Sequence, residues 1–149
     1  MTRIACCQID PVLGDLDGNA DRITAALTRA AAAGADVIVL PELVTSGYML
    51  ADDGEARSTA MSRSDRRFAD WAVAVGDSLA VLGFCELGDD GRIYNSAAVV
   101  DKRGVVAVYR KTHLWDREKL IFTPGSELPP VLSTFGSAAN SSWVTVVYM

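Results

Sequence analysis

Glu42 is the first side chain of this sequence whose position indicates chemistry. It stands just beyond the apolar run 36–40 (DVIVL), which has the composition of a strand covered on both faces. In α/β sheets, ligands gather at the carboxyl ends of the strands. The following loop contains Gly47 and Tyr48, so the carboxylate of Glu42 and the hydroxyl and ring of Tyr48 could lie together at this edge of the sheet. Its alternative role is ordinary, as a helix cap or a solvent-exposed acid.

Lys111 is the second candidate, since it directly follows the apolar run 105–110 (VVAVYR). A lysine at a strand end usually lies on the surface, and that alternative stays open. Here, however, the bulky Leu114 and Trp115 and the acidic Glu118 follow it, and these could hold the ammonium in a partly closed pocket.

The remaining reactive residue types favour structural roles. His113 has no partner in the sequence and is expected to form a loop hydrogen bond. Cys85 lies inside an apolar strand and is expected to be an inert buried side chain, and Cys6 and Cys7 are expected to pack on either face of the first strand. The sequence contains no GxGxxG, P-loop, GxSxG or HExxH motif. No metal site and no cofactor are therefore predicted.

The composition limits the class of protein. The 149 residues carry 14 basic and 19 acidic groups, a formal charge of −5, which argues against a nucleic-acid binder with a basic face. Half of the residues are hydrophobic, as in an ordinary globular domain. No run has the length of a membrane span or signal peptide. With three cysteines that form no spaced framework, the chain is predicted to be soluble and cytoplasmic.

The elements that must position these residues alternate between strands and helices. The sequence predicts a strand over 3–9, a helix between Asn19 and Ala33 that ends at Gly34, and a strand over 36–40. A loop-like region over 51–64 precedes a second helix, whose apolar residues recur at helical spacing: Phe68, Trp71, Ala72, Val75 and Leu79.

Three further strands are predicted over 80–87, 92–101 and 105–110. The tight polar turns between them, DDG and KRG, indicate an antiparallel meander. Strand, helix, strand, helix and meander together predict an α/β fold in one domain.

Several stretches in this order resemble the nitrilase superfamily of carbon–nitrogen hydrolases. They extend over nearly the whole chain to about residue 136: RIACCQIDPVLGDLDGNADRI (3–23), DVIVLPELVTSGYML (36–50), GFCE (83–86), RIYNSAAVVDKRGVVAVYRKTHLWDRE (92–118) and FTPGSEL (122–128). The resemblance implies part of an α-β-β-α sandwich, which in this family often pairs into dimers, so a homodimer is a possible partner arrangement.

The resemblance also implies a Glu-Lys-Cys site that hydrolyses small amides, nitriles or carbamoyl compounds. Glu42 matches the general base of the family, and Lys111 matches the lysine that stabilises the tetrahedral intermediate. Glu118 matches the second acid that supports the site. Tyr48, on the loop after Glu42, is a candidate substrate contact.

One component of that site is absent from the sequence. In the family the nucleophilic cysteine follows a Phe-Gly pair like Phe135-Gly136, but no cysteine occurs after Cys85. The domain is therefore expected to be incomplete on its C-terminal side, with 137–149 as an atypical tail. Either the chain stops before its nucleophile, or the reading frame changed after Gly136. The second explanation is slightly favoured. Residues 1–149 alone are expected to be inactive.

Two other functions are considered. The chain could be a non-catalytic remnant or an oligomerising or binding half-domain, which fits the missing cysteine. A nucleotide-binding α/β module is disfavoured because the sequence lacks a glycine-rich phosphate loop.

Overall fold

A computed structural model describes residues 1–134 and 142–145, which form an α/β structure. One sheet has five strands in the order β1-β2-β3-β4-β5, parallel from β1 to β3 and antiparallel from β3 to β5. The predicted α/β class and the antiparallel meander are confirmed. The strands are β1 (Ile4–Cys6), β2 (Val37–Val39), β3 (Leu79–Leu87), β4 (Ile93–Asp101) and β5 (Gly104–Arg110).

Three α-helices and one 3₁₀ helix accompany this sheet in the described residues. They are α1 (Leu16–Ala32), α2 (Asp53–Thr59), α3 (Arg66–Val75) and the 3₁₀ helix Asp116–Leu120. A separate antiparallel hairpin consists of β6 (Val131–Thr134) and β7 (Ser142–Thr145). The predicted boundary near residue 136 and most of the predicted tail lie outside the described residues.

Helix α1 begins and ends at residues whose types favour helix ends. The Asp15 side chain caps its first turn by accepting a hydrogen bond from the Gly18 amide. Gly34 follows the end of the helix with a φ of 77°, a conformation that glycine adopts without strain. The predicted helix is thus confirmed, although it begins at Leu16 and not at Asn19.

Helices α1 and α3 pack on one face of the sheet and form the main core. Trp71 and Phe68 of α3 meet edge to face with ring centroids 5.1 Å apart, and Phe68 meets Phe84 of β3 at 5.2 Å. Leu79, which the helical spacing had included in the second helix, instead begins β3. Gly76, with a φ of 56°, ends α3 before that residue is reached.

The prediction of a loop over 51–64 is wrong, because α2 lies inside it. Asp52 caps the helix by accepting a hydrogen bond from the Glu55 amide, and Asp53 pairs with Arg57 one turn later. This seven-residue helix buries only Ala56 and Thr59. A helix of that length and burial has no apolar stripe for a periodicity argument to detect.

The opposite face of the sheet carries a smaller apolar cluster beneath the candidate site. Its buried members come from β3, β4 and the connecting segments: Leu43, Leu50, Ala56, Cys85, Ile93 and Phe122. The chain leaves the sheet after Pro41, whose carbonyl accepts a hydrogen bond from Gly83, and returns at Met61, which pairs with the end of β3. The segment between them forms one side of the site.

The first strand is more exposed than its composition predicts. Ile4 and Cys6 are exposed because they alternate with Ala5, which packs against the main core, and so point to the other face of this edge strand. Of the two cysteines, only Cys7 packs partly against the main core, so the expected packing role is wrong for Cys6. Within the described residues, no helix is long and apolar enough to cross a bilayer. The cytoplasmic location stays a prediction.

Candidate active site

The structure brings three of the predicted site residues together. The Lys111 Nζ donates hydrogen bonds to Glu42 Oε1 at 2.8 Å and to Glu118 Oε1 at 3.1 Å, and it lies 3.0 Å from Glu118 Oε2. The Lys111 side chain is 6% exposed, compared with 25% for Glu42. One buried ammonium is therefore shared between two carboxylates that come from different parts of the chain.

Glu42 is positioned by a close approach of two backbones. A Cβ on Gly83 would collide with the backbone of Glu42 and Leu43, so this position of β3 requires glycine. Leu43 has a φ of 47°, in the left-handed region that leucine rarely adopts. Gly83 lets β3 approach the backbone at Glu42, and the left-handed conformation of Leu43 turns the chain out of the sheet directly after Glu42.

Lys111 and Glu118 are held by backbone hydrogen bonds. The Lys111 amide donates to the Asn95 carbonyl at 2.8 Å, and the Lys111 carbonyl accepts from Gly125 at 2.9 Å. Glu118 lies in the 3₁₀ helix, and its Oε2 accepts a hydrogen bond from the Trp115 amide at 2.7 Å. These hydrogen bonds hold the Lys111 backbone and the Glu118 carboxylate in place.

Asn95 is the site residue that sequence analysis missed. It lies in β4, is 1% exposed, and its Nδ2 donates to Glu42 Oε1 and to Glu118 Oε1, each at 2.8 Å. An asparagine inside a predicted strand was the available signal, because asparagine is depleted in strands and a buried amide needs partners.

Electrostatics at the site keep Lys111 charged. Burial alone lowers the pKa of this lysine, but its hydrogen bonds to Glu42 and Glu118 and their negative charges outweigh that effect. The pKa of Lys111 is consequently raised above its ordinary value.

The two carboxylates differ in their surroundings. Both oxygens of Glu118 accept hydrogen bonds, and the residue is 8% exposed. Glu42 accepts only through Oε1, and within the described part of the chain no side chain or amide donates to its Oε2. Glu42 thus keeps one oxygen without a described protein donor, whereas both oxygens of Glu118 are engaged.

Tyr48 lies near the charged residues but is not hydrogen-bonded to them in the described structure. It is 44% exposed, and its pKa is raised by partial burial and then by the charges of Glu42 and Glu118. It lines a cavity of about 420 Å³ whose wall is mostly apolar and includes Leu43, Leu50, Trp115, Ile121 and Phe122. Glu118 lines the same cavity.

Cys85 and His113 have the structural roles predicted for them. Cys85 is fully buried, its thiol donates a hydrogen bond to the Ala56 carbonyl, and burial raises its pKa to about 12. A thiol with this pKa is almost entirely protonated near neutrality. His113 is exposed, and its Nδ1 shares a hydrogen bond with the Thr112 hydroxyl. Among the described residues, no group of side chains could hold a metal ion.

Comparison with known proteins identifies the family. The sequence profile of the carbon–nitrogen hydrolase family matches residues 3–144. The chain belongs to this family. It is 35% identical over 129 residues to a glutamine-dependent NAD(+) synthetase of Acinetobacter baylyi and 33% identical over 128 residues to a nitrilase of Pyrococcus abyssi. These alignments each cover 84% of this chain, but 24% and 48% of the respective relatives.

A solved structure shows the same fold. It is an amidase of the nitrilase superfamily from Nesterenkonia sp. AN1, with 28% identity and a TM-score of 0.72 over 89% of this chain. In that structure acrylamide has added to the active-site cysteine of the amidase. The match covers 53% of the amidase, so this chain spans about half the length of that enzyme.

Proposed function

We propose that this chain supplies the base and the cation of a Glu-Lys-Cys site that hydrolyses a carbon–nitrogen bond in a small amide or nitrile. The observation that carries the proposal is the shared ammonium, with Lys111 Nζ bonded to both Glu42 and Glu118. The nucleophile is a cysteine that residues 1–149 do not supply at this place.

Glu42 is the general base. A free thiol has a pKa of about 8.5 and is mostly protonated at neutral pH, so a carboxylate that takes its proton during attack increases the reactive fraction. The free Oε2 and the partial exposure of Glu42 suit this role. The same carboxylate later takes a proton from the water that hydrolyses the thioester.

Lys111 stabilises the negative charge that develops in the tetrahedral intermediate. Its ammonium is held in place before the reaction, so no reorganisation is needed when the charge appears. A group of this kind lowers a barrier by roughly 3 kcal/mol, about a hundredfold in rate. Glu118 holds the ammonium from the buried side, and Tyr48 contacts the substrate in the adjoining cavity.

Residues 1–149 alone are proposed to be inactive on amides. Loss of a covalent nucleophile removes many orders of magnitude in rate. Cys85 does not replace it, because its thiol bonds to the Ala56 carbonyl and its pKa is raised to about 12. Ammonia release from simple amides by the purified chain, abolished by Glu42→Gln, would contradict this proposal.

A chimera tests the roles of the three residues. Residues 1–134 are joined to the part of the Nesterenkonia amidase that contains its active-site cysteine. We expect ammonia release from a simple amide. Glu42→Gln and Lys111→Met should each abolish it, and circular dichroism should show that these variants remain folded.

Two results of the chimera experiment lead to different conclusions. Activity that survives Glu42→Gln and Lys111→Met would overturn the proposed roles. A folded chimera with no activity would instead favour the alternative function, a non-catalytic binding or oligomerising half-domain. Sedimentation of the unmodified chain would then test the possible homodimer.

A further inference from the structure

Asn95 occupies a position that a packing role does not explain. Its side chain is buried at the centre of the site, and its one amide nitrogen donates to both carboxylates at 2.8 Å. The orientation of the amide is unambiguous, because the reverse would place Oδ1 against two carboxylate oxygens. Asn95 therefore joins Glu42 of one segment to Glu118 of another.

The charges of the site show what the Asn95 side-chain amide contributes. Two carboxylates share one ammonium, so a net negative charge is held in a largely buried site. A second cation would balance that charge but would also reduce the basicity of Glu42. Asn95 offers two N–H groups without a formal charge.

The bonds also select an oxygen. Lys111 and Asn95 both donate to Oε1 of Glu42. With this oxygen doubly occupied, the carboxylate cannot rotate without breaking two hydrogen bonds. Oε2 is consequently the oxygen presented for proton transfer.

We propose that Asn95 is a positioning residue that ties Glu42 to Glu118 through its Nδ2 and so presents Glu42 Oε2 as the basic oxygen. This inference rests on the proposed function of Glu42 as a base. The amide acts through Glu42 and does not touch the substrate.

The first experiment uses Asn95→Leu in the full chain, which removes the amide group and keeps a side chain of similar size and branching. Nuclear magnetic resonance detects the Lys111 ammonium through its ¹⁵N–¹H correlation and its hydrogen-bonded carboxyl carbons. In the unmodified chain we expect contacts to both Glu42 and Glu118. In Asn95→Leu the contact to Glu42 should be lost, since this partly exposed carboxylate can turn toward water, while that to Glu118 should remain.

The second experiment reverses donor and acceptor. Asn95→Asp is isosteric but adds a third carboxylate beside Lys111, so at pH 7 the unfolding equilibrium constant should rise on the order of a hundredfold. The ionisable groups around the position are Glu42 and Tyr48 from the segment after β2, Cys85 of β3, Lys111 after β5 and Glu118 of the 3₁₀ helix.

The sign of the pH dependence follows from these neighbours. Burial and the two nearby carboxylates raise the pKa of the introduced acid in the folded state above its unfolded value. The loss of stability should therefore be complete at pH 7 and should shrink as the pH falls toward 5. Over this range the folded state takes up the proton first.

A second substitution separates the proposed contact from general damage. Glu118→Gln combined with Asn95→Asp exchanges amide and carboxylate, and we expect it to recover at least tenfold in the unfolding equilibrium constant. The matched control is Asn19→Asp. Asn19 is an equally buried asparagine whose Nδ2 donates to the carbonyls of Val12 and Thr45, away from the site. Glu118→Gln should not rescue it.

Two results would overturn the inference: an unchanged Lys111 contact to Glu42 in Asn95→Leu, or equal rescue of Asn95→Asp and Asn19→Asp by Glu118→Gln. Neither experiment measures hydrolysis. Failure here would leave the base role of Glu42 to be judged by the chimera, and an inactive chimera would not change the expected Asn95 results.

Discussion

Two clusters of charged and polar side chains lie on opposite faces of the sheet and differ in charge balance. Consecutive residues contribute to different clusters at two places, Asn95 and Ser96 in β4 and Arg110 and Lys111 at the end of β5. Glu86, Ser96 and Arg110 form one cluster, and Asn95 and Lys111 belong to the other. Neighbouring residues of a strand point to opposite faces of a sheet. β4 and the end of β5 therefore contribute to a structural ion pair on one face of the sheet and to the candidate site on the other.

The structural ion pair is balanced and fully bonded. Arg110 meets Glu86 through two hydrogen bonds, of 2.9 and 2.7 Å, and Ser96 donates to the same carboxylate at 2.6 Å. The guanidinium also lies 3.8 Å from the centre of the Tyr94 ring. One cation faces one anion, and Glu86 is 2% exposed.

The candidate site is unbalanced in charge. One ammonium faces two carboxylates, and Glu42 keeps an oxygen without a described protein donor while a quarter of its side chain is exposed. Burial of charge therefore does not by itself indicate function. Surplus charge and an acceptor oxygen without a described protein donor distinguish the candidate site.

Arg110→Met should have the largest effect on stability. Arg110 is partly exposed, but its loss leaves Glu86, at 2% exposure, without a cation, and an unpaired buried charge costs about 3–5 kcal/mol. Chemical denaturation measures the loss. A change below about 1 kcal/mol would place this pair among ordinary surface ion pairs and would remove the contrast.

Lys111→Met should have the next largest effect, about 3 kcal/mol at pH 7, since Glu118 stays buried while Glu42 can turn toward water. The pKa of Lys111 is raised in the folded state, so its ion pairs contribute stability below the unfolded pKa of about 10.4 and lose it as the pH rises through the folded pKa. Denaturation curves of the two proteins should converge at high pH, and a constant gap would contradict the account.

Gly83→Ala should cost about 2 kcal/mol, as in overpacked sites, because the new methyl collides with the backbone of Glu42 and Leu43. Gly54→Ala is the control, since the nearest atom to its added methyl is 3.2 Å away and belongs to a side chain. Equal thermal shifts for the two variants would show that the close approach at Gly83 does not constrain Glu42.

Glu42→Gln should have the smallest effect on stability, below about 1 kcal/mol, because the residue is partly exposed and the amide oxygen still accepts from Lys111 and Asn95. In the active chimera the same change should abolish ammonia release. A large loss of stability would make Glu42 a structural residue like Glu86.

Much of this molecule could be predicted from the sequence, for identifiable reasons. The meander was predictable because its turns carry DDG and KRG, and Glu42 and Lys111 were found because each follows an apolar run. The convergence of Glu42, Lys111 and Glu118 came from the family resemblance, since no local spacing connects residues 69 positions apart.

Other features were not accessible in that way. Helix α2 has too few buried residues to show a period, and the exposure of Cys6 depends on β1 lying at the edge of the sheet. Asn95 was overlooked because its partners come from two distant segments. The paired Glu86 and Arg110 were likewise determined by cross-strand register, which composition does not reveal.

Titration of the Lys111 ammonium by nuclear magnetic resonance tests the central claim most directly, because everything depends on one cation shared by two carboxylates. The account predicts a pKa above that of ordinary lysines in the unmodified chain and a lower value in both Glu42→Gln and Glu118→Gln. A Lys111 pKa at or below the ordinary value, unaffected by either substitution, would contradict it.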